Sequence, residues 1–507
     1  MNIIKTITTK IKKITYSDII QKYWGYSELK DKQIEVLDNY MAGRDVIGLL
    51  PTGYGKSMCY LIPPLMSNKV MFIISPLISL MEDQKEKLID RHIPVAALHG
   101  NNPNRPQEIL DIIDGKIYIV YMSPEFLVKG DGLELAKSLY ESNQLGYLAI
   151  DESHCISQWG HDFRNDYMKI KIFRQKFPNI PIMAVTATAT TQVIDDIISN
   201  LTLNKPIVIK ANFDRPNLYL KCVKVKSIDV KIIEPYIDKY KQDKIIIYTS
   251  SRKDTTELAE SINILYHKKY NINCAGYHAG MSKGDRNKIQ TQFSDGKVNI
   301  IVSTVAFGMG IDQIVRCVLI FGAPNSIEDY YQMIGRAGRD SFIAETILFF
   351  QYKNIIIGKH MNLTNQKKTL TDESCEDNKE VIINKQRCLT IMAKYFFTNI
   401  CRRRFILEYF GQIPKFFCCY NCDNCSEREL VDYTERVKEV VFKCKKFVDV
   451  FTKDELDIMI SSDFIQNRFN TITTTVSLEN WKKLLTLNKK IDITPNKYKL
   501  LFGVKLK

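Results

Sequence analysis

A buried strand that runs into a glycine turn ending in Lys-Ser leaves a chain few choices of fold. Here the stretch Pro51-Thr52-Gly53-Tyr54-Gly55-Lys56-Ser57 follows the apolar run Asp45 to Leu50 and precedes a helix-like segment from Met58. Such a turn cradles the phosphates of a nucleotide. Backbone N–H groups around Thr52, Gly53 and Gly55 and the helix N-terminus face the anion, Lys56 reaches the terminal phosphates, and the Ser57 hydroxyl binds Mg²⁺. The strict eight-residue pattern fails, because Leu50 stands where its first glycine belongs. What remains is the shorter T-G-x-G-K-S form, which a chance glycine turn can also produce. A second stretch weighs against chance. Asp151-Glu152-Ser153-His154 follows the apolar run Leu145 to Ile150. A strand ending in Asp-Glu supplies one carboxylate for the Mg²⁺ water shell and a second to position the attacking water.

The 507 residues have room for roughly three or four domains. At 45% hydrophobic residues the chain can bury full cores. Lys and Arg number 71 against 57 Asp and Glu, a net charge of +14 that suits a polyanionic partner. A Lys-rich codon bias gives the same surplus, since Ile, Lys and Asn are all abundant. Met1 to Tyr16 lacks a continuous apolar core of signal-peptide type, and no stretch of about 18 apolar residues occurs, so no membrane span is expected. The thirteen cysteines are mostly scattered singly, as Cys59, Cys155, Cys222, Cys274 and Cys317 are, which fits reduced thiols in an intracellular compartment.

From Ser17 to about Leu203, short apolar runs alternate with longer amphipathic segments. Val70 to Ser75, Ile117 to Tyr121, Tyr147 to Ile150 and Ile182 to Thr186 read as buried strands of a parallel sheet flanked by helices. A second α/β series starts near Phe213. Its strand candidates are Lys244 to Tyr248, Cys274 to Tyr277, Val298 to Ser303, Val315 to Phe321 and Thr346 to Phe350. Its helix candidates are Lys253 to Tyr266, Lys283 to Ser294 and Ile327 to Ile334. The boundary is expected around Asn204 to Asn212, where Pro206 interrupts the pattern. Thr364 to Lys379 reads as a polar loop, Val381 to Ile400 as helix, and the Lys-rich end has a candidate hairpin near Pro495 to Tyr498.

Several stretches carry chemistry beyond the phosphate turn. Gln33 offers a donor and an acceptor together, matching an adenine edge, and Tyr26 can stack on a base; the alternative is an ordinary helix with a buried aromatic. Thr186 and Thr188 end a strand and can relay hydrogen bonds from the phosphate site, or simply turn the chain. Arg336 and Arg339 flank glycines and could share a helical face, offering an arginine to a γ-phosphate from a second domain. Ser303 to Asp312, just upstream, looks like a strand-to-loop site. Trp159, Phe163 and Arg164 follow the Asp-Glu pair and can stack on unpaired bases, or pack the loop down. Cys401, Cys419, Cys422 and Cys425 form C-x17-C-x2-C-x2-C, soft thiolates suited to a closed tetrahedral Zn²⁺ site, with adjacent Cys418 as the rival for Cys419. A disulfide reading needs an oxidising compartment, against the rest of the cysteine pattern.

From Ser17 to Cys425 these motifs together resemble the RecQ family of superfamily 2 helicases. The most telling are Asp151 through Arg164, Thr304 through Asp312, Gln332 to Asp340 and the four cysteines. The resemblance implies an α/β chain of two tandem RecA-like parallel-sheet domains (1–207 and 208–350), a helical zinc-binding subdomain (351–428) and a reduced winged-helix domain (429–507). It implies ATP, Mg²⁺ and Zn²⁺ as cofactors and 3′-to-5′ DNA unwinding, on single-stranded tails and forked or branched duplexes, in repair and recombination. The nucleus or another site of DNA replication and repair is the implied location. Carried over, Tyr26, Lys30 and Gln33 sit at the adenine, Ser57 and Asp151 hold Mg²⁺, Glu152 activates water, and Arg336 and Arg339 complete the site in trans. Gln332 and Asp312 are assigned with them to catalysis and nucleotide binding. Pro76, Ser251, Arg252 and His278 line the DNA strand with Trp159, Phe163 and Arg164. Departures are Lys30 for a usual Arg, Ser153 for Ala, Phe126 for a phosphate-contacting Arg, Met333 for Glu, a one-residue shortening after Asp312, and only 82 residues after Cys425. An RNA helicase with the same two-domain motor is the alternative, and a non-catalytic scaffold is disfavoured by the intact Lys56, Asp151, Glu152 and Arg339.

Overall fold

A computed structural model describes residues 14–129, 131–157, 164–226, 229–304, 307, 313–351, 376–426, 439, 465–468, 471–474, 492–493 and 500–501. The chain divides into two units, Met1–Asn212 and Phe213–Lys507.

The first unit is built on a seven-stranded sheet. Its strands are β1 (Val46–Leu49), β2 (Val70–Ile74), β3 (Val95–Leu98), β4 (Ile119–Met122), β5 (Leu145–Ile150), β6 (Ile182–Thr186) and β7 (Ile207–Lys210). They run in the order β3-β4-β2-β5-β6-β1-β7, every neighbouring pair parallel. Parallel strands need helical crossovers, which cover both faces, so β1, β2, β4 and β6 are buried at every residue and read as unbroken apolar runs. β3 and β7 were not among the expected strands. β7 is an edge strand with alternating exposure, and Pro206 stands just before it, where a missing N–H costs no ladder bond. The expected boundary between residues 207 and 208 cuts this strand; β7 pairs with β1, and the unit closes after Asn212.

One carboxylate gathers the starts of three strands. Asp45, buried just before β1, accepts from Arg174 Nη2 at 2.6 and 2.7 Å, from the Ile182 N–H at 2.8 Å and from the Asn204 N–H at 2.7 Å. Its own carbonyl accepts from the Ile207 N–H. A buried carboxylate satisfied this fully anchors; removing one partner of such a pair costs about 3–5 kcal/mol.

The second unit carries a six-stranded parallel sheet: β8 (Leu218–Lys224), β9 (Ile245–Tyr248), β10 (Cys274–Tyr277), β11 (Ile300–Ser303), β12 (Cys317–Phe321) and β13 (Ala344–Phe350), in the order β10-β11-β9-β12-β13-β8. The helices Lys283–Ser294 and Ile327–Ile334 begin where Ser282 and Ser326 cap them, each hydroxyl accepting the N–H three residues on. The helix expected over Lys253 to Tyr266 runs from Arg252 to Tyr270, until Asn271 adopts a left-handed φ of 53°. Beyond β13, a helix over Glu376–Phe397 stacks Phe396 on Phe350 (4.4 Å between centroids) and packs Tyr395 on Tyr330. It takes in the last four residues of the loop expected over Thr364 to Lys379, whose earlier part lies outside the described residues. Toward the C-terminus two antiparallel pairs are described, Ile465–Arg468 with Thr471–Thr474 and Asp492–Ile493 with Leu500–Leu501. The second flanks the candidate turn at Pro495 to Tyr498; the rest of the expected winged helix lies outside the described residues.

Candidate nucleotide site and cysteine centre

The phosphate turn sits at the C-terminal end of β1, the place where parallel sheets bind ligands. Gly53 and Gly55 take φ of 80° and 89°, and Gly55 opens the helix Lys56–Ser67. A side chain at Gly55 would collide: a Cβ there would lie 2.6 Å from Gln33 Nε2. That contact places Gln33 against the phosphate turn. Its Nε2 donates to the carbonyls of Tyr54 (3.1 Å) and Gly55 (2.9 Å), and its Oε1 accepts from the Lys30 N–H (2.8 Å). The amide thus bridges Lys30 and the phosphate turn, and Gly55, lacking a side chain, leaves room for that approach. Lys30 grips the same turn, with Nζ donating to the Gly53 carbonyl and lying 4.6 Å over the Tyr54 ring. Tyr26 is 55% exposed, leaving its ring accessible for stacking.

Across from the turn, β5 delivers Asp151 and Glu152. Glu152 adopts a left-handed φ of 47°, unusual for a non-glycine residue. Its Oε1 accepts from Lys56 Nζ at 3.3 Å, and its Oε2 lies 3.3 Å from His154 Nδ1. His154 Nδ1 also meets Thr186 Oγ1 at 2.8 Å, and Thr186 donates to the Thr188 carbonyl. Glu152, His154 and Thr186 thus form a chain from the Lys56 amine to the end of β6. Thr186 was read either as a hydrogen-bond relay or as part of a simple turn; the His154 link was not foreseen. Tyr60 was missed altogether. One helical turn past Ser57, its hydroxyl lies 3.1 Å from Ser57 Oγ and 3.4 Å from Asp151 Oδ2, joining the two residues expected to hold Mg²⁺; an i, i+3 pair on the helix was the available signal. Burial, then the neighbouring Glu152, pushes the Asp151 carboxyl up to about 7, with Lys56 opposing. A cation between Ser57 and Asp151 would offset both effects.

Arg164 and Pro76 come together, Nη1 donating to the Pro76 carbonyl at 2.5 Å. Trp159, Phe163 and Asp312 lie outside the described residues. In the second unit Ser251 caps its helix, accepting from the Asp254 N–H at 3.0 Å. Arg252 lies over Gly280, where a Cβ would meet Nη1 at 2.9 Å and His278 Nδ1 at 3.3 Å, so Arg252 and His278 share one patch.

Gln332 is on the helix Ile327–Ile334, but Arg336 and Arg339 are not on a common helical face. The helix stops at Ile334, Ala337 bridges to Val315, and Gly338 turns the chain at φ 55°. Both arginines lie near Tyr248, whose phenol burial pushes up while the two cations oppose.

The four expected cysteines converge. The sulfurs of Cys401, Cys419, Cys422 and Cys425 all lie within 4.8 Å of one another, and Cys418 is not in the group. Four sulfurs about 2.3 Å from one tetrahedral ion are about 3.8 Å apart; Cys419–Cys425 is 3.9 Å and Cys422–Cys425 is 3.4 Å. These spacings fit Zn²⁺ and are too long for a disulfide. The centre is locked to the second sheet. Arg402, fully buried, forks onto Asp423 (2.5 and 3.0 Å), Asp423 accepts from the Cys222 N–H, and Cys422 bridges Leu220 on β8.

Comparison with known proteins agrees with this arrangement. Residues 30–197 match the DEAD/DEAH box helicase model, 227–341 the helicase conserved C-terminal domain and 359–426 the RecQ zinc-binding domain. A protein of Acanthamoeba polyphaga mimivirus that is named an ATP-dependent RNA helicase is 39% identical over 427 residues, 83% of this chain and 73% of that protein. The ATP-dependent DNA helicase RecQ of Bacillus subtilis is 34% identical over 84% of this chain and 69% of its own length. The ATP-dependent helicase SGS1 of Saccharomyces cerevisiae is 36% identical over 86% of this chain, which spans only 30% of the yeast protein. Among solved structures, the helicase MrfA bound to DNA matches with a TM-score of 0.57 at 16% identity, covering 92% of this chain and 64% of MrfA, a likeness of fold.

Proposed function

The chain belongs to the RecQ family of ATP-dependent helicases, and from that premise we propose that it couples ATP hydrolysis to 3′-to-5′ movement along single-stranded DNA and to duplex unwinding. The observation that carries the reading is the Lys56–Glu152–His154–Thr186 chain at the C-terminal end of one parallel sheet, followed in the same polypeptide by a four-cysteine centre locked to a second. Lys56 takes the terminal phosphates and so leaves Glu152, whose carboxylate is then available to orient the attacking water. Mg²⁺, held by Ser57 and Asp151, would neutralise charge on the phosphates. Tyr26 stacks on the adenine, and Gln33 and Lys30 act through the phosphate turn they grip. Arg336 and Arg339 supply the trans charge, and Gln332 and Asp312 are assigned to the same site.

Arg164 and Pro76 in the first unit and Arg252 and His278 in the second are the proposed strand contacts, as are Trp159 and Phe163, and the net charge of +14 favours a phosphate backbone. Single-stranded tails and forked or branched duplexes in DNA replication and repair are the proposed substrates and setting. Among the described residues no helix is long and apolar enough to cross a membrane.

The mimivirus relative favours RNA as a second reading. Strand displacement on tailed DNA and RNA duplexes of each polarity separates the two. The expected result is ATP-dependent displacement of DNA carrying a 3′ tail. Efficient displacement of RNA alone would establish the second reading, and displacement from a 5′ tail only would overturn the polarity.

The metal assignment has its own expected result. Reduced, freshly purified protein carries about one Zn²⁺ per chain. Cys422→Ser lowers zinc content and drops Tm by roughly 10 °C or more, because a structural zinc contributes folding energy directly. Cys419→Ser behaves alike and Cys418→Ser is mild. Metal analysis and thermal melts read both; a severe Cys418→Ser beside a mild Cys419→Ser would reassign the ligand.

A further inference from the structure

We infer that Arg215 and Asn217 are positioning residues for Arg339, holding the turn that carries it; the inference rests on the proposed trans role of Arg339. Nothing in the motif pattern marks these two residues. They lie in the short segment leading into β8, more than a hundred residues before the turn. Arg215 Nη2 donates to the carbonyls of Ala337 (2.7 Å) and Gly338 (2.9 Å). Asn217 Nδ2 donates to the carbonyls of Gly338 and Phe342, both at 2.9 Å. The two side chains also meet each other, Arg215 Nε to Asn217 Oδ1 at 3.4 Å.

Gly338 is what allows this closure. At φ 55° it is left-handed, and a Cβ there would fall 2.4 Å from Asn217 Nδ2 and 2.9 Å from the Phe342 carbonyl. The Gly338 N–H donates to the Val315 carbonyl, and Arg316 forks onto Asp340. The peptide units before Arg339 and the side chain after it are therefore all held. Burial lowers the Arg215 pKa, with Tyr331 opposing and the nearby Arg339 adding to the lowering.

The other face of the segment is anchored as firmly. Arg403 pairs with Asp214, Asn421 Nδ2 donates to the Pro216 carbonyl at 2.9 Å, and Phe213 stacks on Phe410 at 5.0 Å. Asn421 lies between Cys419 and Cys422. The segment is thus a strap between the cysteine centre and the arginine turn.

An arginine that neutralises transition-state charge acts in a narrow geometry, and a displacement near 1 Å costs about 10²-fold in rate. The phosphate turn belongs to the first unit, so a loosened strap lowers kcat while leaving KM for ATP alone.

The test is a double-mutant cycle in the full chain, read as DNA-stimulated ATP hydrolysis. Arg215→Ala and Asn217→Ala each lower kcat by about tenfold or more, with KM for ATP within about twofold of wild type and zinc content unchanged. Added to Arg339→Ala, neither lowers kcat further, because the residue it positions is gone. An equal loss in both backgrounds would mean that the strap supports stability or another group, and wild-type kcat in both single variants would overturn the inference directly. Wild-type kcat for Arg339→Ala would overturn the trans role itself and this inference with it. Should Arg215→Ala not fold, Arg215→Lys keeps the charge, loses the fork and is read by the same cycle.

Discussion

Glu152→Gln reduces ATP turnover by about 10²–10⁴-fold, the usual cost of losing a general base, with binding of ATP and single-stranded DNA retained. The substitution is isosteric, so the left-handed backbone at Glu152 and its neighbours need not move. It removes the negative charge that Lys56 faces at 3.3 Å and that lies beside His154. Lys56→Ala takes the other end of the contact and loses about 10²–10³-fold, as removal of one transition-state charge donor does. The two differ in how they fail. Lys56→Ala weakens nucleotide affinity as well, because the lysine binds phosphate in the ground state. Steady-state hydrolysis beside a nucleotide-binding titration reads both. Glu152→Gln at the wild-type rate would show that another group orients the water.

Arg339→Ala lowers turnover by about 10³–10⁵-fold, the range for loss of an arginine finger, while ATP affinity changes little. Arg339→Lys restores only part of it, since an ammonium is a point charge without the planar fork. Arg336→Ala has the smaller effect of the two, because both Arg215 and Asn217 hold the carbonyl of Gly338, the residue directly before Arg339. Single-turnover hydrolysis with saturating ATP separates chemistry from binding. A turnover within about threefold of wild type would mean that the second unit contributes no charge to the reaction.

Much of the fold was legible because local signals and burial agreed. Lys283–Ser294 and Ile327–Ile334 end where the sequence places them, since serine caps and apolar spacing point the same way. β3 escaped because Val95-Ala96-Ala97-Leu98 is short and half alanine, and β7 because an edge strand exposes alternate residues beside a proline. The phosphate turn, the carboxylate pair and the cysteine centre were legible because their chemistry demands fixed spacing. What stayed hidden is what side chains do to distant backbone. Gln33 and Lys30 close onto Tyr54, Gly55 and Gly53, and Arg215 closes onto a turn over a hundred residues away; spacing carries no record of either. The helical face expected for Arg336 and Arg339 failed for a local reason: the helix stops at Ile334, before either arginine, and the left-handed Gly338 turns the chain between them.

The Asp45 cluster gives the first sheet two unlike ends. At one end a single carboxylate holds the beginnings of β1, β6 and β7 through a guanidinium and two backbone N–H groups. At the other, β1 leads into the turn before Lys56, β5 into Asp151, and β6 ends in Thr186, the residues proposed to meet the nucleotide. Rigidity and responsiveness are therefore separated along the length of each strand. Substitutions sort accordingly. Changes around Asp45 and Arg174 alter how much of the protein is folded at a given temperature without retuning the motor, whereas changes one strand-length away retune the motor in a protein that remains folded. A thermally hardened variant is best sought at the Asp45 end, a strand-length away from Lys56, Asp151 and Thr186.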